Sequence, residues 1–161
     1  MNFYSKIITG ILFMSLIQSV SAQQQLVNKS EESLTSTVQV NVTGVDVKRG
    51  GEIVVMIFSK QGFPKQHSDA LLSQNNKILS ETMTFSFQLP TKEYTEYAVK
   101  VWHDENGDGK VSKNWTGIYP KEGLGFSNGQ KVTLTGPPKY NKSKLSFNDY
   151  KDGVAIAIVY P

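Results

Sequence analysis

The fold is decided by a stretch in which polar and apolar side chains alternate, Thr82-Met83-Thr84-Phe85-Ser86-Phe87-Gln88-Leu89. Successive side chains of a β-strand point to opposite faces, so this period predicts a strand with one buried face and one wet face. Pro90 then stops the ladder of hydrogen bonds. Residues 94–103 have the same period and place four side chains on one face: Tyr97, Val99, Val101 and His103.

Further strands are predicted on both sides of these two. Val38, Val40 and Val42 alternate with polar residues, and the apolar run 53–58 is typical of a strand covered on both faces. The turn residues between them predict that the two form a hairpin. Later candidates are residues 131–135, 144–147 and 154–160, and Pro137-Pro138 separates the first two.

Only residues 68–80 carry a helical pattern, and the Asn75-Asn76 pair argues against a long helix there. About seven short strands with no helix between them predict an all-β fold, an antiparallel β-sandwich with Greek-key connections of the immunoglobulin-like or prealbumin-like kind. A closed barrel is the alternative. Residues 37–161 show no internal repeat and are expected to form a single domain.

The N-terminus resembles an export signal. Lys6 precedes an apolar run over residues 7–17, and small residues stand at positions 20–22. The run is too short to span a bilayer, so residues 1–22 are predicted to be a cleaved signal peptide, with a retained anchor as the alternative. The polar residues 23–36 are predicted to be a flexible leader. We therefore expect a secreted or periplasmic protein with no transmembrane segment after cleavage.

The composition excludes several functional classes. The 161 residues contain 17 Lys and Arg, 14 Asp and Glu, and no cysteine. Disulfides, thiolate metal sites and cysteine nucleophiles are thus excluded. The small positive excess gives no reason to expect a nucleic-acid partner.

The stretch 103–112 carries the strongest chemical signal. Asp104, Asn106 and Asp108 stand at alternate positions before Gly109, which matches the first half of a calcium-binding loop. Hard cations take oxygen ligands, and a glycine permits the sharp turn that aims alternate side chains inward. The predicted ligands are completed by the Lys110 carbonyl, Ser112 and an acidic residue from elsewhere, for which Glu105 and Glu122 are the nearest.

Two interpretations of this loop remain open. An EF-hand is rejected because Trp115 stands where its bidentate glutamate belongs and because a strand precedes the loop. A strand-flanked calcium site is the first interpretation. The second is a simple turn, since Asx side chains and glycines satisfy local backbone donors without any metal.

Residues 103–110, followed by Gly117, Pro120, Glu122, Gly123 and residues 125–128, resemble the signature of a bacterial secreted-protein family called domain of unknown function 2141. The resemblance extends from about residue 38 to 160. It implies an exported β-sandwich and no particular reaction. The sequence departs from the family pattern at Ser112, where an aspartate is common, and at Tyr119, which is an extra residue.

The function expected from these observations is a calcium-stabilised binding module whose partner is an envelope protein or a polysaccharide. The alternative is a secreted hydrolase that uses His103 with Asp104 or Glu122. Because the chain has only two histidines and no supported Ser-His-Asp grouping, His103 is expected to be a structural hydrogen-bonding group. A third alternative is an accessory protein without a ligand. An exposed, flat ring at Trp102 or Trp115 would favour sugar stacking.

Overall fold

The computed structural model describes residues 35–90, 92–117, 119–148 and 153–161. The predicted signal peptide and the leader up to residue 34 lie outside this range. The first strand begins at Thr35, so the last two residues of the predicted leader belong to it. No helix in the described part of the chain is both long and apolar enough to cross a membrane.

The described residues form eight strands, one short helix and three 3-10 turns. The strands are β1 (Thr35–Thr43), β2 (Glu52–Phe58), β3 (Leu72–Lys77), β4 (Thr82–Pro90), β5 (Glu96–Asp104), β6 (Leu124–Phe126), β7 (Leu145–Ser146) and β8 (Val154–Ala157). The helix α1 spans Tyr140–Ser143, and the 3-10 turns span Val47–Arg49, His67–Asp69 and Ser127–Gly129.

These strands build two sheets, as the predicted all-β sandwich requires. The first sheet has the order β4-β1-β8, and the second has the order β3-β2-β5-β6 with β7 also paired to β5. Neighbouring strands are antiparallel except for β1 and β8, which run parallel. Within the described residues an isolated bridge joins Leu124 of β6 to Val159, just after β8, but the two sheets do not close into a barrel. The sandwich prediction is therefore confirmed.

The core lies between the sheets. The alternating side chains of β1 and β4 are buried against the inner side chains of β2 and β5, which include Val55, Val99 and Val101. The outer face of the second sheet is also covered, because its side chains form a second apolar cluster that packs against loop residues. The members of that cluster on the strands are Val54, Met56, Phe58, Trp102, Leu124 and Phe126. The strands β2 and β5 are therefore buried on both faces.

The predicted hairpin of the first two strands is wrong. The strand β1 pairs with β4 and β8, whereas β2 pairs with β3 and β5 in the other sheet. The turn at Gly50 and Gly51 leads into β2, but β2 lies in the opposite sheet from β1. Turn residues report a local change of direction and carry no information about the partner strand.

Two other predicted elements also differ. Residues 68–80 contain the edge strand β3, whose backbone pairs with β2 although most of its side chains are exposed. Residues 131–135 form no strand, and Thr133 instead bridges Gly136 in a tight turn. In both places tertiary pairing and turn chemistry prevail over local propensity. The apolar side chains Leu124 and Phe126 are buried as members of β6.

We predict that Gly51 tolerates substitution far less than its neighbour Gly50. Both have positive φ angles, but a Cβ at Gly51 would overlap the Asp104 carbonyl oxygen, whereas at Gly50 it would meet open space. Gly50→Ala is expected to cost about 1 kcal/mol from the backbone conformation alone. Gly51→Ala is expected to cost about 3 kcal/mol because the clash adds to that strain. Equal midpoints in urea unfolding of the two variants would contradict this packing.

Candidate functional site

An open cavity of about 600 Å³ lies on the outer face of the second sheet. Lys100 of β5 and the side chains of Leu124 and Phe126 from β6 form its floor. Its walls come from three connecting segments, residues 64–67, 109–120 and 132–137. We call it the Lys100 cavity. It exists because loops, rather than a third sheet, cover this face.

Lys100 is the unusual residue of this floor. Its neighbours Val99 and Val101 face the core, so the alternation of β5 places Lys100 on the outer face, where it is only 3% exposed. Its Nζ donates to the Pro64 carbonyl oxygen at 3.1 Å and lies 2.7 Å from Nε2 of His67. Burial lowers the pKa of Lys100 to about 8, because low-dielectric surroundings disfavour the charged form.

No carboxylate of the described residues neutralises this ammonium group. In the part of the chain that the structure describes, ion pairs join Arg49 to Asp46 and Glu105, and Lys144 to Glu96, and none involves Lys100. A buried cation without a counter-ion is expensive, and buried charges are normally paired. An ammonium group has three donors, and the two contacts of Lys100 leave one of them for a ligand in the cavity.

His67 completes the floor of the site. Its ring lies against Trp102, with 5.2 Å between the ring centroids. Burial, followed by the charge of Lys100, lowers the pKa of His67 to about 4. The imidazole is therefore neutral at pH 7, and its Nε2 accepts a hydrogen bond from the Lys100 ammonium. That arrangement places the imidazole proton on Nδ1.

The walls of the Lys100 cavity combine apolar surface with positive charge. Five apolar side chains contribute to them: Pro64, Val111, Pro120, Val132 and Pro137. Three lysines, Lys65, Lys110 and Lys113, are also in the lining. Such a cavity suits a molecule with an anionic group for Lys100 and an apolar body for the walls.

The predicted calcium loop is closed by its own side chains. Asp104 is buried at the end of β5, where Oδ1 accepts the Gly107 N–H at 2.8 Å and Oδ2 accepts the Gly109 N–H at 3.1 Å. Asn106 and Asp108 accept the backbone N–H groups two residues further on, at 3.1 and 2.8 Å. These contacts are the Asx turns of the second interpretation.

Glu122, one of the two acidic candidates for the predicted ion site, lies against the end of this loop. Its Oε2 accepts the Trp102 Nε1–H at 2.9 Å and the Ser112 N–H at 2.8 Å. Its Oε1 is buried and has no hydrogen-bond partner among the described residues. Of the other predicted ligands, Lys110 lines the Lys100 cavity and Ser112 lies 3.4 Å from the Asn106 amide. Among the described residues, no three Asp, Glu or His side chains converge closely enough to hold a metal ion. Calcium binding stays a prediction.

His103 is a structural group of the core. It is fully buried, with Nδ1 2.7 Å from the Tyr160 hydroxyl and Nε2 2.5 Å from the Gly50 carbonyl oxygen. The Tyr160 hydroxyl accepts the Asp46 N–H, so its own proton goes to Nδ1 of His103, and Nε2–H donates to Gly50. Both ring nitrogens are thus engaged, and His103 does not line the Lys100 cavity.

The two tryptophans have opposite environments. Trp102 is buried beneath the covering loops, whereas Trp115 is 94% exposed. Of the two, Trp115 therefore has the exposed ring that the sequence analysis considered for sugar stacking.

Comparisons with known proteins identify a family and no function. The family model described as an uncharacterised protein conserved in bacteria, DUF2141, matches residues 40–154. No curated protein and no solved structure matches the chain.

His67 is expected to make the protein less stable in mild acid. Because its folded pKa of about 4 is below the ordinary value of 6.5, the unfolded chain binds the proton first as the pH falls. The contribution of neutral His67 to folding stability is therefore complete above pH 6.5 and is lost toward pH 4. We expect this loss to be about 1 kcal/mol, because solvent screening weakens the effect at a partly exposed group. Thermal melting between pH 6.5 and 5 should show a shallower decline for His67→Gln than for the unsubstituted protein. Parallel declines would contradict the assignment.

Proposed function

The chain belongs to the DUF2141 family of uncharacterised bacterial proteins, and from that premise we propose that it is a binding module for a small organic acid. The ligand occupies the Lys100 cavity. It carries a carboxylate or phosphate group, which pairs with Lys100, and an apolar body, which packs against the walls.

The observation that supports this proposal most strongly is the buried ammonium group of Lys100, which has no counter-ion among the described residues. Leaving a charge buried without a partner costs several kcal/mol, about the cost of breaking a buried ion pair. An anion held against Nζ offsets that cost and makes a charge-assisted hydrogen bond in a low-dielectric site. His67 supports the geometry, because it holds Nζ in place without neutralising it.

The dimensions and lining agree with a small molecule rather than a single inorganic ion. Cavities that bind small molecules have volumes of roughly 300–1,000 Å³ and mostly apolar walls with few polar groups. The Lys100 cavity, at about 600 Å³, is within that range and has this lining. A bare phosphate ion would leave Val111, Leu124 and Val132 uncovered, whereas an amphiphilic acid covers them.

The hydrolase alternative receives no support from the geometry. His103 is fully buried, and both of its ring nitrogens are hydrogen-bonded. Both carboxylate oxygens of Asp104 accept hydrogen bonds from the loop backbone. A general base must reach the proton that it removes. We therefore propose binding rather than hydrolysis.

The proposed location is the cell envelope or its exterior. Its support is the sequence pattern of residues 1–22, with one lysine, an apolar run and a small-residue cleavage site. In that location the ligand would be an organic acid of the envelope or one taken up from outside.

A calcium ion at the 104–112 loop is a second proposal, and the orphaned Oε1 of Glu122 favours it. This carboxylate oxygen is buried beside Ser112, and no residue in the described part of the chain hydrogen-bonds to it. Unsatisfied buried oxygens are rare in folded proteins, and a cation would satisfy this one. The spacing of Asp104, Asn106 and Asp108 supplies further oxygen ligands, provided that the loop exchanges some of its Asx turns for the ion.

The binding proposal is tested by calorimetric titration at pH 7 with hexanoate, hexyl phosphate and inorganic phosphate. Hexanamide is the uncharged control. We expect the two amphiphilic acids to bind and the amide and inorganic phosphate to bind at least 10-fold more weakly. Lys100→Met should lower the affinity at least 10-fold, and Lys113→Met at most about 3-fold, because exposed charges contribute little. Equal affinities for Lys100→Met and the unsubstituted protein would overturn the proposal.

Binding of hexanoate should also depend on pH. Because the pKa of Lys100 is about 8, the ammonium group is present below that pH and is lost above it. The other titratable groups in the lining are Lys65, Lys110, Lys113 and His67. The affinity should therefore decline from pH 7 to pH 9, and this decline should be absent in Lys100→Met. An affinity constant over that range would contradict the role of Lys100.

The calcium proposal is tested by thermal melting with calcium, with magnesium and with a chelator. Calcium at 100 times its Kd should stabilise the fold by about 2.7 kcal/mol. Glu122→Gln keeps the size of the side chain but removes the charge, so most of the stabilisation should disappear. A melting temperature that calcium and chelator leave unmoved would show that the loop is only a turn.

A further inference from the structure

We propose that the surface around the Lys100 cavity docks onto an anionic lipid membrane. The surface consists of two short hairpins, residues 113–117 with 119–120 and residues 133–136, together with the lysines beside them. We call it the hairpin face. The proposal goes beyond small-ligand binding and depends on other residues.

The first hairpin holds Trp115 out in solvent. Lys113 and Pro120 form a β-bridge at its base, and the Asn114 N–H donates to the Tyr119 carbonyl at 2.8 Å. The Gly117 N–H closes the tip by donating to the Asn114 carbonyl at 2.9 Å. The indole at this tip is 94% exposed. A turn fixed by backbone hydrogen bonds presents its tip residue and keeps it from folding back onto the sheet.

The second hairpin presents Leu134 in the same way. Thr133 and Gly136 exchange two backbone hydrogen bonds of 3.0 and 2.9 Å, and the leucine between them is 84% exposed. Lys113 and Pro120 of the first hairpin and Gly136 of the second all line the Lys100 cavity. The two apolar tips thus belong to hairpins that stand at one opening.

The charge around the tips is strongly positive. Residues 109–147 contain seven lysines and a single acidic residue, Glu122, which is buried. Lys110 and Lys113 line the Lys100 cavity, and Lys131 lines an adjoining cleft beside Pro120 and Val132. In the described part of the chain, none of these three lysines forms an ion pair. Their charges are available to a partner.

This combination fits an anionic bilayer. Single exposed apolar residues are common in soluble proteins, but tryptophan and leucine tips within a lysine-rich surface match membrane-interface binding. Tryptophan prefers the headgroup level of a bilayer, and each lysine near an anionic surface contributes about 1 kcal/mol. A polysaccharide would use the flat ring of Trp115 but has no use for the aliphatic Leu134. We therefore favour the membrane over a glycan partner.

The test is flotation of the protein with phosphatidylcholine vesicles that contain or lack phosphatidylglycerol. Binding is expected only with phosphatidylglycerol and should weaken in high salt, because the attraction is electrostatic. Tryptophan emission should shift to the blue on binding. Since Trp102 is already buried, the shift reports on Trp115.

Matched variants distinguish membrane binding through the hairpin face from nonspecific adsorption by other exposed residues. The double variant Trp115→Ala, Leu134→Ala should lose at least 10-fold in vesicle affinity. Leu79→Ala, which removes another exposed leucine (87%) outside the hairpins, should change it less than 2-fold. Lys113→Ala with Lys131→Ala should weaken binding, whereas Lys77→Ala on β3 should not.

Three outcomes overturn the proposal: no flotation with either vesicle, equal effects of Leu79→Ala and the double tip variant, or Trp115-dependent binding of a soluble acidic polysaccharide without flotation. Lys100→Met distinguishes this proposal from the small-ligand site. It should lose hexanoate binding and keep vesicle binding, while the double tip variant should do the reverse.

Discussion

Burial of β2 and β5 on both faces is the constraint on which the rest of this structure depends. The first sheet covers their inner face, but among the described residues no third sheet covers the outer one, so connecting segments must do so. Loops bring polar backbone groups with them, and buried backbone groups need partners. Side chains of the sheet and of the loops supply these partners, which explains the buried polar residues beneath the loops, among them Lys100, Asp104 and Glu122.

Each of these side chains fastens a different segment. Lys100 fastens the β2–β3 connection through Pro64, Asp104 closes the loop that follows β5, and Glu122 joins Ser112 to Trp102. Two of the three retain a hydrogen-bonding group that no described residue satisfies. These groups are the third N–H of Lys100 and Oε1 of Glu122. A purely structural fastening has no reason to leave a buried ionic group half satisfied, since the unsatisfied part costs stability. These two positions are therefore the ones at which we propose ligands.

The sequence predicted the positions of the strands better than their pairing. It also predicted the loops better than the cavity that the loops enclose. The alternation in β4 and β5 predicted which side chains are buried, because a strand has only two faces. It did not predict that β1 and β2 lie in different sheets, since pairing is decided by distant segments. Lys100 was missed because a lysine on the outer face of a strand is normally in water. The available signal was its flanking residues, Ala98 and Trp102, which mark an outer face that is covered.

The net charge of the whole chain also gave no sign of how unevenly the charges are distributed. A formal net charge of +3 gives no indication of an electrostatic surface. Residues 109–147 alone carry a net charge of +6, however, which leaves −3 for the remainder of the chain. Of the three segments that cover the second sheet, the two later ones belong to the positive segment. An anionic surface attracts that segment and repels the rest, so the charges set an orientation as well as an affinity. In the docked orientation that we propose, the opening of the Lys100 cavity would face the membrane, where amphiphilic acids are most concentrated.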